Sequence, residues 1–268
     1  MIDTHAHIYS KQFDGDRTAM LERTFAAGVE KILMPNVDSE SIEGMMALAA
    51  QYPDQCFPMM GLHPCSVNAD FEKELQIAED WLKKYPFVAV GEMGLDLYWD
   101  KTYFEQQKEA FRIQAEWAKA YRLPLVIHCR EAMKETLALL ESLADERLFG
   151  VLHCFTGTAE DAAKLYAMNF RVGIGGVVTY KKGDLASVVA QIPLEQIVLE
   201  TDSPYLAPLP HRGKRNETSY LPLIAEKIAE AKGLNTEKIA AATTKNALLL
   251  FFERQPAMAA QSSVEISG

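Results

Sequence analysis

The chain contains six histidines, and five of them fall at or just past the ends of β-like runs. His5 and His7 lie in D-T-H-A-H, where the period-two geometry of an extended chain turns both side chains toward the same spot. His63 closes G-L-H-P, His128 closes L-V-I-H-C, and His153 closes V-L-H-C. Two acidic residues take equivalent places, Glu92 in V-G-E-M-G-L-D and Asp202 in L-E-T-D-S-P-Y. Neutral imidazole and carboxylate are the ligands of hydrolytic Zn²⁺, Mn²⁺ or Fe²⁺ centres. Taken singly, these residues have plainer explanations. A lone strand-end histidine is more often a hydrogen-bonded core residue. Glu92 alone would serve as a salt-bridge partner, and Asp202 alone as a helix cap before Ser203-Pro204. Their coincidence outweighs those explanations, because random placement scatters histidines over helices, loops and tail.

Six ligands are too many for one tetrahedral ion with an open position and suit two ions that share a carboxylate. A workable partition gives His5, His7 and Asp202 to one metal and His128 and His153 to the other, with Glu92 bridging. Two such cations, ~3.5–4 Å apart, make hydroxide from water near neutral pH. Asp202 is then both ligand and proton acceptor. His63 is left over, to touch a phosphate, to protonate a leaving group, or to serve a structural purpose.

Residues so far apart in sequence converge only if the fold brings strand ends together. Apolar, β-branched runs occupy 2–8, 30–37, 56–63, 87–94, 123–129, 150–154, 170–176 and 196–202, bounded by Gly, Pro or Asp. Between them lie amphipathic stretches at 16–27, 39–51, 70–84, 102–121, 131–144, 158–168 and 184–191. Two more helices follow near 217–232 and 236–252. Phe104, Ala110, Phe111, Ile113 and Trp117 show the helical spacing. Alternation of this kind predicts an α/β fold with a parallel sheet. Eight units are what a closed (β/α)8 TIM-type barrel requires, and its strands' C-terminal ends all open on one rim. An open doubly wound sheet alternates in the same way, so periodicity leaves closure undecided. A single domain is expected over residues 1–254, with a flexible tail over 255–268.

A second chemical feature follows Asp202. The loop 203–217, S-P-Y-L-A-P-L-P-H-R-G-K-R-N-E, carries His211, Arg212, Lys214 and Arg215 in a chain of formal net charge −10. Basic side chains beside a metal centre suit phosphodiester substrates, because they hold phosphate oxygens; a solvated loop is the alternative. Lys101, Arg130 and Lys181 also follow strand ends and read as exposed charges without function. The acidic balance argues against a surface coated for non-specific nucleic-acid binding, though not against a nuclease. No apolar run approaches the ~20 residues of a membrane span. The N-terminal segment reads as a ligand-bearing strand and not as a signal peptide, so a cytoplasmic location is expected. Cys56, Cys65, Cys129 and Cys154 form no C-x-x-C pair and read as reduced, buried thiols.

At these motifs the sequence closely resembles the TatD family of metal-dependent deoxyribonucleases, within the amidohydrolase-like barrels. The resemblance runs from Ile2 to about Phe252. It rests on I-D-T-H-A-H, G-L-H-P, V-G-E-M-G-L-D, the Q-Q-K-E-A-F helix, P-L-V-I-H-C-R, L-H-C-F-T-G, and E-T-D-S-P-Y-L-A-P with R-G-K-R-N-E. It implies a (β/α)8-type barrel, two divalent metals, and hydrolysis of DNA phosphodiesters, often from a 3′ end or single strand. The metal positions it implies are His5, His7, Glu92, His128, His153 and Asp202. Two departures stand out: Tyr9 where the family often has Asp or Asn, and Thr218 where it often has Pro. Neither removes a ligand. Two competing functions are carried forward. One is hydrolysis of a small ester or amide, including the D-aminoacyl-tRNA ester that the family suggests. The other is a non-catalytic binding protein on the same barrel. No membrane and no obligate protein partner is expected.

Overall fold

The computed structural model describes residues 1–253. The flexible tail expected over 255–268, like Arg254, lies outside the described residues.

The chain alternates strand and helix from the start. The first half runs β1 (Ile2–Asp3), α1 (Arg17–Ala26), β2 (Lys31–Met34), α2 (Ser39–Gln51), β3 (Cys56–Pro58), α3 (Phe71–Leu82) and β4 (Val90–Asp96). It continues with α4 (Phe104–Tyr121), β5 (Leu125–Arg130), α5 (Met133–Ser142), β6 (Gly150–Leu152), α6 (Ala159–Ala167) and β7 (Phe170–Ile174). Then come α7 (Leu185–Gln191), β8 (Ile197–Leu199), α8 (Leu221–Lys232) and α9 (Thr236–Leu248). Side-chain caps set the start of three of the α-helices, with Asn235 accepting the Lys238 N–H at α9. Asp38 and Ser41 form a reciprocal capping box at α2, and Thr158 and Asp161 form one at α6.

All strand pairs are parallel, in two ladders ordered β1-β2-β3 and β4-β5-β6-β7-β8. Backbone hydrogen bonds join the ladders at both seams. Met60 N–H donates to Ala89 O at 3.2 Å and Gly91 N–H to Met60 O at 2.9 Å, linking the chain after β3 to that around β4. Thr4 N–H donates to Leu199 O at 3.0 Å and His7 N–H to Ser203 O at 2.7 Å, linking β8 back to β1. The eight strands thus form a ring, which answers the question that periodicity left undecided.

The ring sorts its side chains by alternation. Leu33, Val126, Val151 and Val198 pack together with Leu250 and Phe251 from the C-terminal turn. Their neighbours Ile32, Leu125, Ile127, Leu152, Ile197 and Leu199 pack in a separate cluster with helix residues such as Met20, Met45, Phe111 and Ile224. Two residues on from Val126 is His128, and two on from Val151 is His153. Two and four on from Val198 are Glu200 and Asp202. The same alternation that fills the ring with valine therefore turns these polar residues inward at its rim.

The strands are shorter than the apolar runs in the sequence. β1 ends at Asp3, β3 at Pro58 and β8 at Leu199, because regular pairing stops where the chain turns out onto the rim. Beyond those points isolated bridges replace the ladder, Ala6 with Ser203 and Met60 with Val90. The helix expected over 217–232 starts with a 3-10 turn at Thr218–Tyr220 and becomes α-helical at Leu221. All four cysteines are unpaired, but only Cys56 is buried as expected. Cys65 is exposed and Cys129 and Cys154 are half-buried, because all three sit in or beside the rim segments. Among the described residues no helix is long and apolar enough to cross a membrane.

Candidate metal centre

Glu92 lies near the middle of β4 and is 2% exposed. The ladder to β5 shifts register between Val90 and Met93, and this irregularity places Glu92 at the hub of the rim. Gly94 lets the strands approach so closely there, since a Cβ would collide with the carbonyl of His128. Each carboxylate oxygen of Glu92 faces a different set of imidazoles. Oε2 is 3.1 Å from His5 Nε2 and 3.5 Å from His7 Nε2. Oε1 is 2.8 Å from His153 Nε2, 3.0 Å from His128 Nδ1 and 3.4 Å from His63 Nε2. Asp202 Oδ1 joins the first set, 3.6 Å from His7 Nε2 and 3.9 Å from His5 Nε2. His5 and His153 stack face to face, with ring centroids 3.8 Å apart, where the two sets meet.

These donors suit divalent cations. Three groups have ligand atoms all within 4.8 Å of one another: His5, His7 and Glu92; His63, Glu92 and His128; and His5, His153 and Asp202. The Nδ1 atoms of His5 and His153 and Oε2 of Glu200 are buried without a hydrogen-bond partner. Five imidazoles converging on one buried carboxylate need positive charge among them, as bound protons or as metal. The histidines pull the Glu92 carboxyl well below the usual carboxylate range, although burial alone would raise it. His128 is pushed up because its hydrogen bonds to Asp96 and Glu92 outweigh burial.

By distance His63 stands with the other imidazoles, but the partner of its second ring nitrogen differs from theirs. Tyr9 donates its hydroxyl proton to Pro35 O, so its oxygen accepts from His7 Nδ1 at 2.9 Å. His7 therefore turns an unprotonated Nε2 toward the centre. Asp96 Oδ2 lies 3.0 Å from His128 Nε2 and accepts its hydrogen bond, so the neutral ring carries its lone pair on Nδ1, which faces Glu92 Oε1. His63 has the opposite arrangement. Its Nδ1 accepts the Cys65 N–H at 3.0 Å, so the neutral ring carries its proton on Nε2 and faces the centre as a donor. Burial holds its pKa below the ordinary histidine value, favouring that neutral form.

Several supporting residues escaped the sequence reading. Asp96 lies four residues beyond Glu92 on the same strand. Glu200, two residues before Asp202, is fully buried, with Oε1 3.6 Å behind His153 Nδ1. The side chain of Glu200 fits because position 173 is glycine; a Cβ there would overlap its carboxylate. Asp3 accepts from Thr201 N–H at 3.0 Å and from Thr201 Oγ1 at 2.6 Å, tying the H-x-H segment to the E-T-D segment. Burial pushes the Asp3 carboxyl up to about 7. Helix α4 contributes two buried amides. Gln107 brackets the backbone of Asp96, and Gln114 brackets that of Leu62, next to His63. The signal for Asp96 and Glu200 was present, since both lie an even number of residues from a proposed ligand on the same strand segment.

The basic loop behaves differently. Arg215 forms a two-pronged ion pair with Asp16 at 2.6 and 2.8 Å and lies over the ring of Phe13. His211 stacks on Tyr220 at 4.0 Å between centroids. The Arg212 guanidinium sits 4.4 Å from the centre of the Tyr180 ring, and Lys214 is exposed. Among the described residues, none of the four forms a hydrogen bond, ion pair or ring contact with the imidazole cluster. Lys101, Arg130 and Lys181 are exposed as expected, but Arg130 is not free: its guanidinium lies 3.7 Å from the centre of the Tyr98 ring.

A parallel eight-stranded ring that gathers imidazoles and carboxylates able to hold metal at its rim is the framework of a metal-dependent hydrolase. A family profile described as "TatD related DNase" matches residues 2–252, and the chain belongs to that family. It is 40% identical to the "uncharacterized metal-dependent hydrolase YabD" of Bacillus subtilis, over 94% of this chain and 98% of the relative. It is 35% identical to the "3'-5' ssDNA/RNA exonuclease TatD" of Cronobacter sakazakii, over 94% and 98% of the two chains. The crystal structure of YJJV, a TatD homolog from Escherichia coli K12, superposes with a TM-score of 0.88 at 32% identity. That match covers 94% of this chain and 97% of the other.

Proposed function

We propose that the protein is a nuclease that hydrolyses phosphodiester bonds of DNA at the 3′ end of an unpaired strand, with two divalent cations per subunit. The observation that carries the reading is the division of Glu92: one oxygen faces His5 and His7, the other His128 and His153. The exonuclease name borne by relatives such as that of C. sakazakii supports the choice of substrate. His5, His7 and Asp202 would hold one cation, His128 and His153 the other, and Glu92 both. Zn²⁺, Mn²⁺, Fe²⁺ and Mg²⁺ all suit ligands of this kind. Bound there, the cations lower the pKa of water and offset charge on the phosphoryl oxygens.

The side chains supply the proton transfers. Asp202 takes the proton from the attacking water, and burial has already raised its carboxyl to about 6, against the pull of His153 and His7. His63, with its proton on Nε2, donates to a phosphate oxygen or to the leaving oxygen. Arg212 and Lys214, and His211 beside them, supply the cationic side of the phosphate path. The same water would attack an ester carbonyl, so substrates must be compared directly.

The test uses 5′-labelled and 3′-labelled single-stranded DNA with metal, with chelator, and beside D-aminoacyl-tRNA and chromogenic esters. Loss of single nucleotides from the 3′ end, abolished by chelation, is expected. A Glu92→Ala/Asp202→Ala double variant that degrades DNA as fast as the unaltered protein would assign the activity to a contaminant. Faster turnover of charged tRNA or esters would replace the DNA reading.

A further inference from the structure

Large apolar side chains are normally covered, and contiguous exposed ones mark interaction sites. Of the eight exposed large hydrophobics among the described residues, Ile77, Tyr121 and Tyr166 are scattered over helices α3, α4 and α6, and the other five gather in two loops on the rim around Glu92. Tyr98 and Trp99 lie in the loop after β4, and Tyr205, Leu206 and Leu209 in the loop after β8. Trp99, at 68%, is the most exposed of them. Its ring meets Tyr98 edge-on, with centroids 4.9 Å apart at 86°. The Arg130 guanidinium covers one face of Tyr98 at 3.7 Å and lies 5.2 Å from the Trp99 ring centre. The indole is therefore mostly exposed, with the Arg130 guanidinium over one face of its ring.

This group is fixed to the centre and does not float on a loop. Asp96 Oδ1 accepts the backbone N–H of both Tyr98 and Trp99, at 2.9 and 3.0 Å, while its Oδ2 holds His128. Arg130 pairs with Asp96 across the β4–β5 ladder, two residues beyond His128. On the opposite flank Tyr205, half exposed, lies edge-on to His7 with centroids 5.9 Å apart. An aromatic surface thus stands on each side of Glu92.

We infer that Tyr98, Trp99 and Arg130 form a stacking platform for an unpaired nucleic-acid base, with Arg130 on the adjoining phosphate. The inference rests on the nuclease reading above and names how that site holds its substrate. An aromatic face paired with a cation is the chemistry that grips single strands without reading sequence, since every base has a π-face. Bases inside a duplex are already stacked and cannot reach it. The platform therefore selects unpaired strands and tolerates any base.

The test measures KM and kcat on oligothymidylate, on a chain of the same length built from abasic nucleotides, and on the duplex, with bound metal determined alongside. Removing the bases should raise the KM of the unaltered protein by about tenfold, in the range for one aromatic stacking contact. Trp99→Ala should raise KM on oligothymidylate by a similar factor and abolish the discrimination against abasic chain, while Trp99→Phe retains most of it. A Trp99→Ala enzyme that still discriminates as the unaltered protein does overturns the platform and leaves the nuclease reading intact. Metal loss in Trp99→Ala, with Trp99→Phe equally impaired, also overturns it and assigns the residue to holding the loop. An unaltered protein that neither binds nor cleaves oligothymidylate overturns the nuclease reading and the platform together.

Discussion

The rim around Glu92 and the basic loop 203–217 are both dense in functional residue types, yet they use them in opposite ways. At the rim, side chains from distant segments turn toward one buried carboxylate, and their outer atoms are held by Tyr9, Asp96 and the Cys65 amide. In the loop the charges turn outward or onto local partners, with Arg215 on Asp16, His211 on Tyr220 and Arg212 over Tyr180. Residue type predicts chemistry well where topology leaves one place to point. It predicts poorly on a surface, where an arginine has many partners of similar energy.

The contrast can be broken first at the hub. Glu92→Gln should lower the phosphodiesterase rate by at least about a hundredfold and reduce bound metal, measured by steady-state hydrolysis and metal analysis. A variant with normal metal content and rate would show that Glu92 is not a shared ligand. Next, Asp96→Asn removes the acceptor that sets the tautomer of His128. A loss of roughly 10- to 100-fold in metal affinity is expected by competition with a chromophoric chelator; unchanged affinity would mean that His128 orients itself.

Tyr9→Phe makes the same test at His7, with an expected loss near the lower end, about tenfold, because a neutral acceptor holds the imidazole proton less strongly. Within the loop, Arg212→Ala should raise the KM for DNA several-fold and reduce the slope of log affinity against log salt by about 1. No change in slope would class Arg212 with Arg215 as a residue serving the fold.

The smallest effect is expected at Arg215 itself. Arg215→Ala should cost at most about 1 kcal/mol of stability in urea denaturation near neutral pH, as for a part-exposed ion pair. Its hydrogen bonds depress the Asp16 carboxyl to about 2. A depressed folded pKa contributes stability above the unfolded value, near 4, and loses it as pH falls toward 2. The difference between variant and unaltered protein should accordingly shrink between pH 4 and pH 2. A difference that persists at pH 2 would point to lost packing on Phe13 instead.

Much of the molecule was legible because its signals are local. The valines at 126, 151 and 198 fix an inward face by alternation, and His128, His153 and Asp202 inherit it. Asp96 and Glu200 obey the same rule, but on each segment one acidic residue, Glu92 or Asp202, already completes the six-ligand set. The shortening of β1 and β8 was not legible, since the apolar pattern continues past the point where the ladder gives way to isolated bridges.

The sequence by itself determined which side chains reach the rim and that their chemistry suits metal, because a strand's period and a ring's shared polarity leave few other arrangements. Closure of the ring, the nitrogen that each imidazole turns toward Glu92, and the fate of each charge in the basic loop were decided only by tertiary structure. The reason is physical: a neutral imidazole presents a lone pair at one nitrogen when the other donates a hydrogen bond, and an N–H when the other accepts one. The partner at that other nitrogen, whether Tyr9, Asp96 or a backbone amide, is set by packing between segments and not by their order in the chain.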